Sequence, residues 1–157
     1  MEMSIREWRR ADLTQIKRAW IDYCRSVARS DMRFRTNAEA AMMEWLSVRF
    51  RQSPGMGFIA EQDESVAGFL IARVDDWESS PPVIEPRRIG IIDALYVSEP
   101  FRRQGVGGRL IERAIQAMRE ADVTAVETIY DAWNEASIQV WNRAGFAPWM
   151  VHAYRML

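Results

Sequence analysis

Leu95-Tyr96-Val97-Ser98-Glu99-Pro100-Phe101-Arg102-Arg103-Gln104-Gly105-Val106-Gly107-Gly108 is the stretch whose reading decides the fold. The apolar run Ile89 to Val97 predicts a strand, Pro100 a turn, and the arginines and glycines a basic loop that opens a helix. Glycines let backbone N–H groups approach an oxyanion closely. The first turn of the helix adds unpaired N–H groups and the positive end of a dipole. The layout is that of a pocket for a phosphate-bearing ligand, and Arg102 and Arg103 add charge beside it. A solvated basic turn is the plainer reading of these two arginines.

Ile89 to Val97 is apolar on both faces, as in a strand covered on both sides. Upstream, Ser4 to Trp8 reads as a short strand. Asp12 and Gln15 are spaced as a capping box for a helix to about residue 27, with Leu13, Ile16, Trp20 and Tyr23 on its apolar face. Thr36 and Glu39 predict a second capping box, for a helix that carries Met42, Met43, Leu46 and Phe50 and ends before Pro54-Gly55. Gly57 to Glu61 and Val66 to Val74 read as strands joined by the turn Gln62-Asp63-Glu64-Ser65. Asp75 to Arg88, with Pro81, Pro82 and Pro86, reads as a loop. After the glycine loop, Leu110, Ile111, Ala114, Ile115 and Met118 mark a third helix. Val123 to Tyr130 reads as a strand. Asn134 to Ala144 reads as a fourth helix closed by Gly145. Phe146 to Met156 reads as one or two final strands broken near Pro148. The order β-α-α-β-β-β-α-β-α-β predicts a mixed α/β (α+β) chain with helices packed on a central sheet.

The 157 residues are expected to form one domain, 1–157, with 48% hydrophobic and 27% charged residues. A net charge of −1 gives no bulk attraction to nucleic acid or to an anionic membrane. Nearly every basic residue is arginine; Lys17 is the lone lysine. Cys24 and His152 are single, so an internal disulfide is excluded and a His/Cys zinc site is disfavoured; no metal is expected. No apolar run approaches the ~20 residues of a membrane span. The charged start from Glu2 is unlike a secretory signal, so the expected compartment is the cytoplasm.

In order along the chain, three motifs resemble the GNAT superfamily, the acyl-CoA-dependent N-acyltransferases related to the Gcn5 histone acetyltransferase. Ser4 to Leu13, with Ala11-Asp12-Leu13, resembles the opening strand and the start of the first helix. Arg102, Gly105 and Gly107 match the pattern Arg/Gln-x-x-Gly-x-Gly/Ala. Asn134, Ser137, Gly145 and Phe146 match the C-terminal Asn-x-x-(Ala/Ser) motif and the helix ending in Gly-Phe. The resemblance implies a mostly antiparallel sheet splayed at its middle strands and flanked by about four helices. It implies an acetyl-CoA-dependent N-acetyltransferase acting on a primary amine: a small amine, an amino-acid derivative, an aminoglycoside-like compound, or a peptide or protein N-terminus. Homodimers are frequent among such relatives.

The same resemblance places coenzyme A on Leu95, Tyr96 and Val97, the loop Arg102, Arg103, Gln104, Gly105, Val106, Gly107 and Gly108, Asn134 and Trp141. Backbone amides from Arg103 to Gly108 would take the pyrophosphate, and backbone groups of Leu95 and Val97 the pantetheine arm. Asp93, a lone charge in an apolar strand, is the first candidate base, because burial raises a carboxyl pKa. Its plainer reading is a bulge cap or an arginine partner. Glu127 and Glu61 come next. Trp141 stands where many members carry a tyrosine that protonates the departing thiolate, and an indole N–H is a donor only. Tyr130 is the substitute acid, against a plainer reading as a half-buried aromatic. Asn134 also suits an N-cap. Trp77, Trp133 and the acidic loop residues Asp75, Asp76 and Glu78 are candidates for the acceptor side. Cys24 and His152 read as structural. An acyl-CoA-sensing module without turnover is the alternative function. A nucleotide-binding domain is disfavoured, because neither Gly-Lys-Ser/Thr nor Gly-x-Gly-x-x-Gly follows the strand.

Overall fold

The computed structural model describes residues 3–63 and 65–157, so Glu2 and the Glu64 position of the predicted turn lie outside the described residues. Strands β1 (Ser4–Glu7), β2 (Gly57–Gln62), β3 (Ser65–Trp77), β4 (Arg87–Val97) and β5 (Ala125–Thr128) form one sheet in the order β1-β2-β3-β4-β5. The first three pairings are antiparallel; β4 and β5 run parallel. Helices α1 (Leu13–Val27) and α2 (Ala38–Gln52) cover one face, and α3 (Val106–Glu120) and α4 (Glu135–Arg143) the other.

Strand alternation sorts the core into two layers. Ile59, Phe69 and Ile71 meet Leu13, Ile16 and Leu46 under α1 and α2. Phe58, Leu70 and Ile92 meet Leu110, Ile111, Met118 and Trp141 under α3 and α4. Because helices cover both faces, β4 is apolar along most of its length, as the sequence predicts. Where β2 begins, the Trp8 indole occupies the volume a Cβ at Gly57 would need, with ring atoms 2.2–2.5 Å from that point. The indole Nε1 donates to the Pro54 carbonyl at 2.8 Å.

The predicted capping boxes are not formed. Asp12 has helical dihedrals and ends a short 3-10 turn, and its carboxylate accepts from the Arg9 backbone N–H at 2.5 Å and from Arg6 at 2.9 Å. Asn37, not Thr36, precedes α2, and no side chain caps it; Glu39 pairs with Lys17 instead. Ladder partners move several strand limits. Pairing with Arg87 carries β3 to Trp77, through part of the predicted loop, and β5 keeps only the residues opposite Ile89 to Ile92. Residues 146–157 form no strand. An alternating pattern becomes a strand only when a neighbour takes up its N–H and C=O groups, and none does here. This segment is held by side chains: Tyr154 donates to Asp31 at 2.7 Å, and Trp149 lies 6.0 Å from Trp77.

Candidate active site

The sheet opens where β4 outruns its parallel neighbour. The β4–β5 ladder ends at Ile92↔Thr128, while β4 continues to Val97 against β3. At that point β4 also carries an extra residue: Ile71 pairs with Ala94 and Ala72 with Ile92, leaving Asp93 without a partner on β3. This is a β-bulge, which bends the strand and frees backbone groups from the ladder. A pocket of about 150 Å³ fills the opening. Leu95, Ser137 and Trp141 line it toward α4, and Trp20, Tyr23, Phe69 and Tyr96 toward α1, with Asp93, Thr128, Tyr130 and Asn134 between them.

Beside the opening lies the glycine loop. Gly105 is the N-cap of α3 with φ 77°, a left-handed conformation, and no side chain caps the helix. Arg103, at φ 60°, adopts the same region. The N–H groups of Val106, Gly107 and Gly108 have no preceding turn to bond to. A Cβ at Gly105 or Gly108 would meet nothing within 4 Å, so no neighbouring side chain crowds these two positions. An uncapped helix start free of such crowding fits a pyrophosphate. Arg102 departs from expectation: its Nε donates to the Val97 carbonyl at 2.9 Å, so it ties the loop to β4. Of the predicted backbone contacts at Val97, this occupies the carbonyl. Gln104 likewise turns inward and donates to the Pro100 carbonyl at 2.8 Å.

The sequence profile of the acetyltransferase (GNAT) family matches residues 5–146. The chain belongs to this family. A curated relative, N-alpha-acetyltransferase 30 of Xenopus laevis, is 28% identical over 93 residues, covering 59% of this chain and 32% of that protein. Each curated relative it matches is covered over only 24–38% of its length. Among solved structures, a transcriptional regulator from Bacillus halodurans superposes with TM-score 0.77 at 16% identity, over 99% of this chain and 100% of that one. A predicted acetyltransferase with acetyl-CoA from Clostridium acetobutylicum gives 0.75 at 12%, over 97% and 96%. These likenesses are of fold. The splayed, mostly antiparallel GNAT sheet and its flanking helices are those the sequence predicts.

Within this GNAT frame, Asp93 combines both of its plainer readings. It is the bulge residue, and its carboxylate is held by Arg73 Nε at 3.3 Å and lies 3.1 Å from Arg49 Nε. The Arg49 approach is a charge contact without hydrogen-bond alignment, so among the described residues Asp93 Oδ2 has no hydrogen-bond donor. Tyr130 and Trp141 stack with ring centroids 6.5 Å apart, and Phe146 meets Trp141 edge-on at 5.1 Å. Trp141 is 5% exposed, so the indole in place of the usual tyrosine is a wall of the pocket and part of the core.

Asn134 forms the predicted cap and lines the pocket. Its Oδ1 accepts from the Ser137 N–H at 3.2 Å as the α4 cap, and its Nδ2 donates to the Tyr23 hydroxyl at 3.2 Å. Tyr23 and Trp20 were legible in the sequence only as apolar-face residues of α1; nothing there marked them as pocket residues. Glu61 belongs elsewhere, on β2, where the Arg6 guanidinium holds its carboxyl below the usual range. Glu127 pairs opposite Ile91 and does not line the pocket. Nor do Trp77 and Trp133: Trp77 packs with Trp149 under Arg87, and Trp133 is 53% exposed. Asp75 is taken by Arg73, and Asp76 and Glu78 also lie outside the pocket. His152 lies in the irregular C-terminal segment, so its predicted strand is absent. Cys24, half-buried in α1, has its thiol pKa pushed up by burial. Among the described residues, no cluster of His, Cys, Asp or Glu could hold a metal ion, and no helix is long and apolar enough to cross a membrane.

Proposed function

We propose that this GNAT-family chain transfers an acetyl group from acetyl-CoA to a primary amine, carried by a small molecule or by a peptide N-terminus, with both substrates bound at once. The observation that carries the reading is the pocket that runs through the β4–β5 opening, with the uncapped α3 N-terminus at its side. The pocket reaches from the α4 side to the α1 side, so two ligands can meet in it end to end. Cys24 does not line it, and burial keeps that thiol protonated, which argues against an acyl-cysteine route.

Acetyl-CoA supplies the acyl group as a thioester. The Val106, Gly107 and Gly108 N–H groups hold its pyrophosphate, with Arg103 beside them. The free edge of β4 at Leu95 orients the pantetheine arm, the Val97 carbonyl being taken by Arg102, and the bulge leaves an N–H available to polarise the acyl oxygen. The Asp93 carboxylate, which lines the pocket, accepts the ammonium proton through water. The Tyr130 hydroxyl, on the ring that stacks against Trp141, is the acid for the departing thiolate. Holding both substrates in line contributes most of the acceleration; such positioning is worth roughly 7–11 kcal/mol.

The second reading, an acyl-CoA sensor, draws on Trp141 and on the two guanidinium groups around Asp93. Calorimetry with acetyl-CoA and coenzyme A, followed by thiol release over an amine panel, separates the two. Binding with release on some amine establishes the transferase. Binding without release on any amine, peptides included, establishes the sensor. No binding removes both.

A further inference from the structure

The acceptor half of the pocket has a composition of its own. Trp20, Tyr23 and Tyr96 line it, and the buried Phe69 ring behind them joins them into one connected aromatic cluster. Phe69 and Tyr96 stack at 5.3 Å, Tyr23 meets Tyr96 at 6.1 Å, and Trp20 meets Phe69 at 6.1 Å. The charged side chains along the pocket are Asp93 and Asp131; among the described residues no lysine, arginine or histidine lines it. Arg49 and Arg73 are engaged with Asp93, and Arg49 also lies 5.0 Å over the Trp45 ring.

We infer that the acceptor is a primary amine borne on a short apolar or aromatic group and carrying no carboxylate near the amine. The inference rests on the transferase reading above and names the substrate class of the same site. A protonated amine is attracted to aromatic faces and to the two aspartates. An apolar body gains by covering the rings. A carboxylate beside the amine would lose its water, find no cation and face Asp93 and Asp131.

The test compares thiol release with acetyl-CoA on phenethylamine, 3-methylbutylamine, phenylalanine, spermidine, kanamycin and a tetrapeptide amide beginning with phenylalanine. Phenethylamine or the peptide should exceed phenylalanine, spermidine and kanamycin in kcat/KM by at least tenfold. Preference for the free amines assigns a small-molecule acceptor, and preference for the peptide assigns an N-terminus; both support the recognition. Equal or better turnover of phenylalanine, spermidine or kanamycin overturns it. Trp20→Leu should raise KM for phenethylamine about tenfold with coenzyme A affinity unchanged, and Trp20→Phe should restore it. Tyr23→Leu is the second variant should Trp20→Leu fail to bind coenzyme A, and an unchanged KM in the folded variant counts against the proposal. Quenching of tryptophan fluorescence by phenethylamine, with coenzyme A bound, reads recognition without turnover. Quenching without thiol release keeps the recognition and rejects the transferase; neither signal rejects both.

Discussion

Asp93 sits where β4 has one residue more than β3, and that insertion turns a carboxylate toward Arg49 and Arg73 at the edge of the pocket. The insertion also leaves Asp93 without a ladder partner on β3. Asp93→Asn keeps the shape and removes the charge. We expect kcat to fall at least tenfold, most at lower pH where more of the amine is protonated, with coenzyme A affinity held within a factor of two. A pH–rate profile parallel to wild type would show that Asp93 is not the proton acceptor. Stability should fall by about 2 kcal/mol in chemical unfolding, because the partly buried Arg49 guanidinium loses its counter-charge while Arg73 keeps only Asp75. Trp141→Phe tests the other end of the reaction. It deletes the indole N–H, and because a coenzyme A thiol leaves without strong acid assistance, kcat should stay within threefold. A tenfold loss would give that N–H a chemical role.

At the scale of elements, the start of α3 separates stability from binding. Gly105 has φ 77°, so Gly105→Ala forces an L side chain into the left-handed region and should cost about 1 kcal/mol. Gly108 is helical with open space around it, so Gly108→Ala should hold or raise stability by about 0.5 kcal/mol. Yet its methyl adds bulk to the glycine loop that the proposed function assigns to phosphate. Thermal unfolding should show Gly105→Ala melting lower and Gly108→Ala not lower, while calorimetry shows weaker coenzyme A binding by Gly108→Ala. Unchanged affinity would remove the phosphate assignment. At α4, Asn134→Ala removes a cap and a bond to Tyr23, and a loss of about 1 kcal/mol is expected in denaturant unfolding.

Across the whole molecule, Arg6 joins three separate parts of the chain: β1, the turn before α1, and β2. Burial pushes the Asp12 carboxyl up, but its bonds to Arg6 and to the Arg9 N–H outweigh this and hold it below the usual range. Arg6 holds Glu61 low as well. Both folded-state values are depressed, so their stabilisation is present above the ordinary carboxylate values near about 4 and is lost as pH falls through the lower folded ones. Arg6→Met should cost about 2 kcal/mol at pH 7 and flatten the decline of Tm below about pH 4. A decline as steep as wild type would mean that other carboxylates set acid stability.

The sequence by itself determined what depends on local order. Ile89 to Val97 must be covered on both faces because it has no polar side, Gly105 must turn because its neighbours end one element and begin another, and Asn134 caps because its side chain reaches the Ser137 N–H. From these, the sheet, its helices and the glycine-rich turn that opens α3 were legible. Tertiary structure decided whatever needs a partner far along the chain. Residues 146–157 alternate like a strand, yet a ladder needs a neighbour and none accepts them. The bulge at Asp93 exists only against β3, its charge is answered by Arg49 from α2, and Tyr23 becomes a pocket residue only when α4 brings Asn134 to its hydroxyl. Local pattern fixes which way a side chain faces; only packing fixes what it faces.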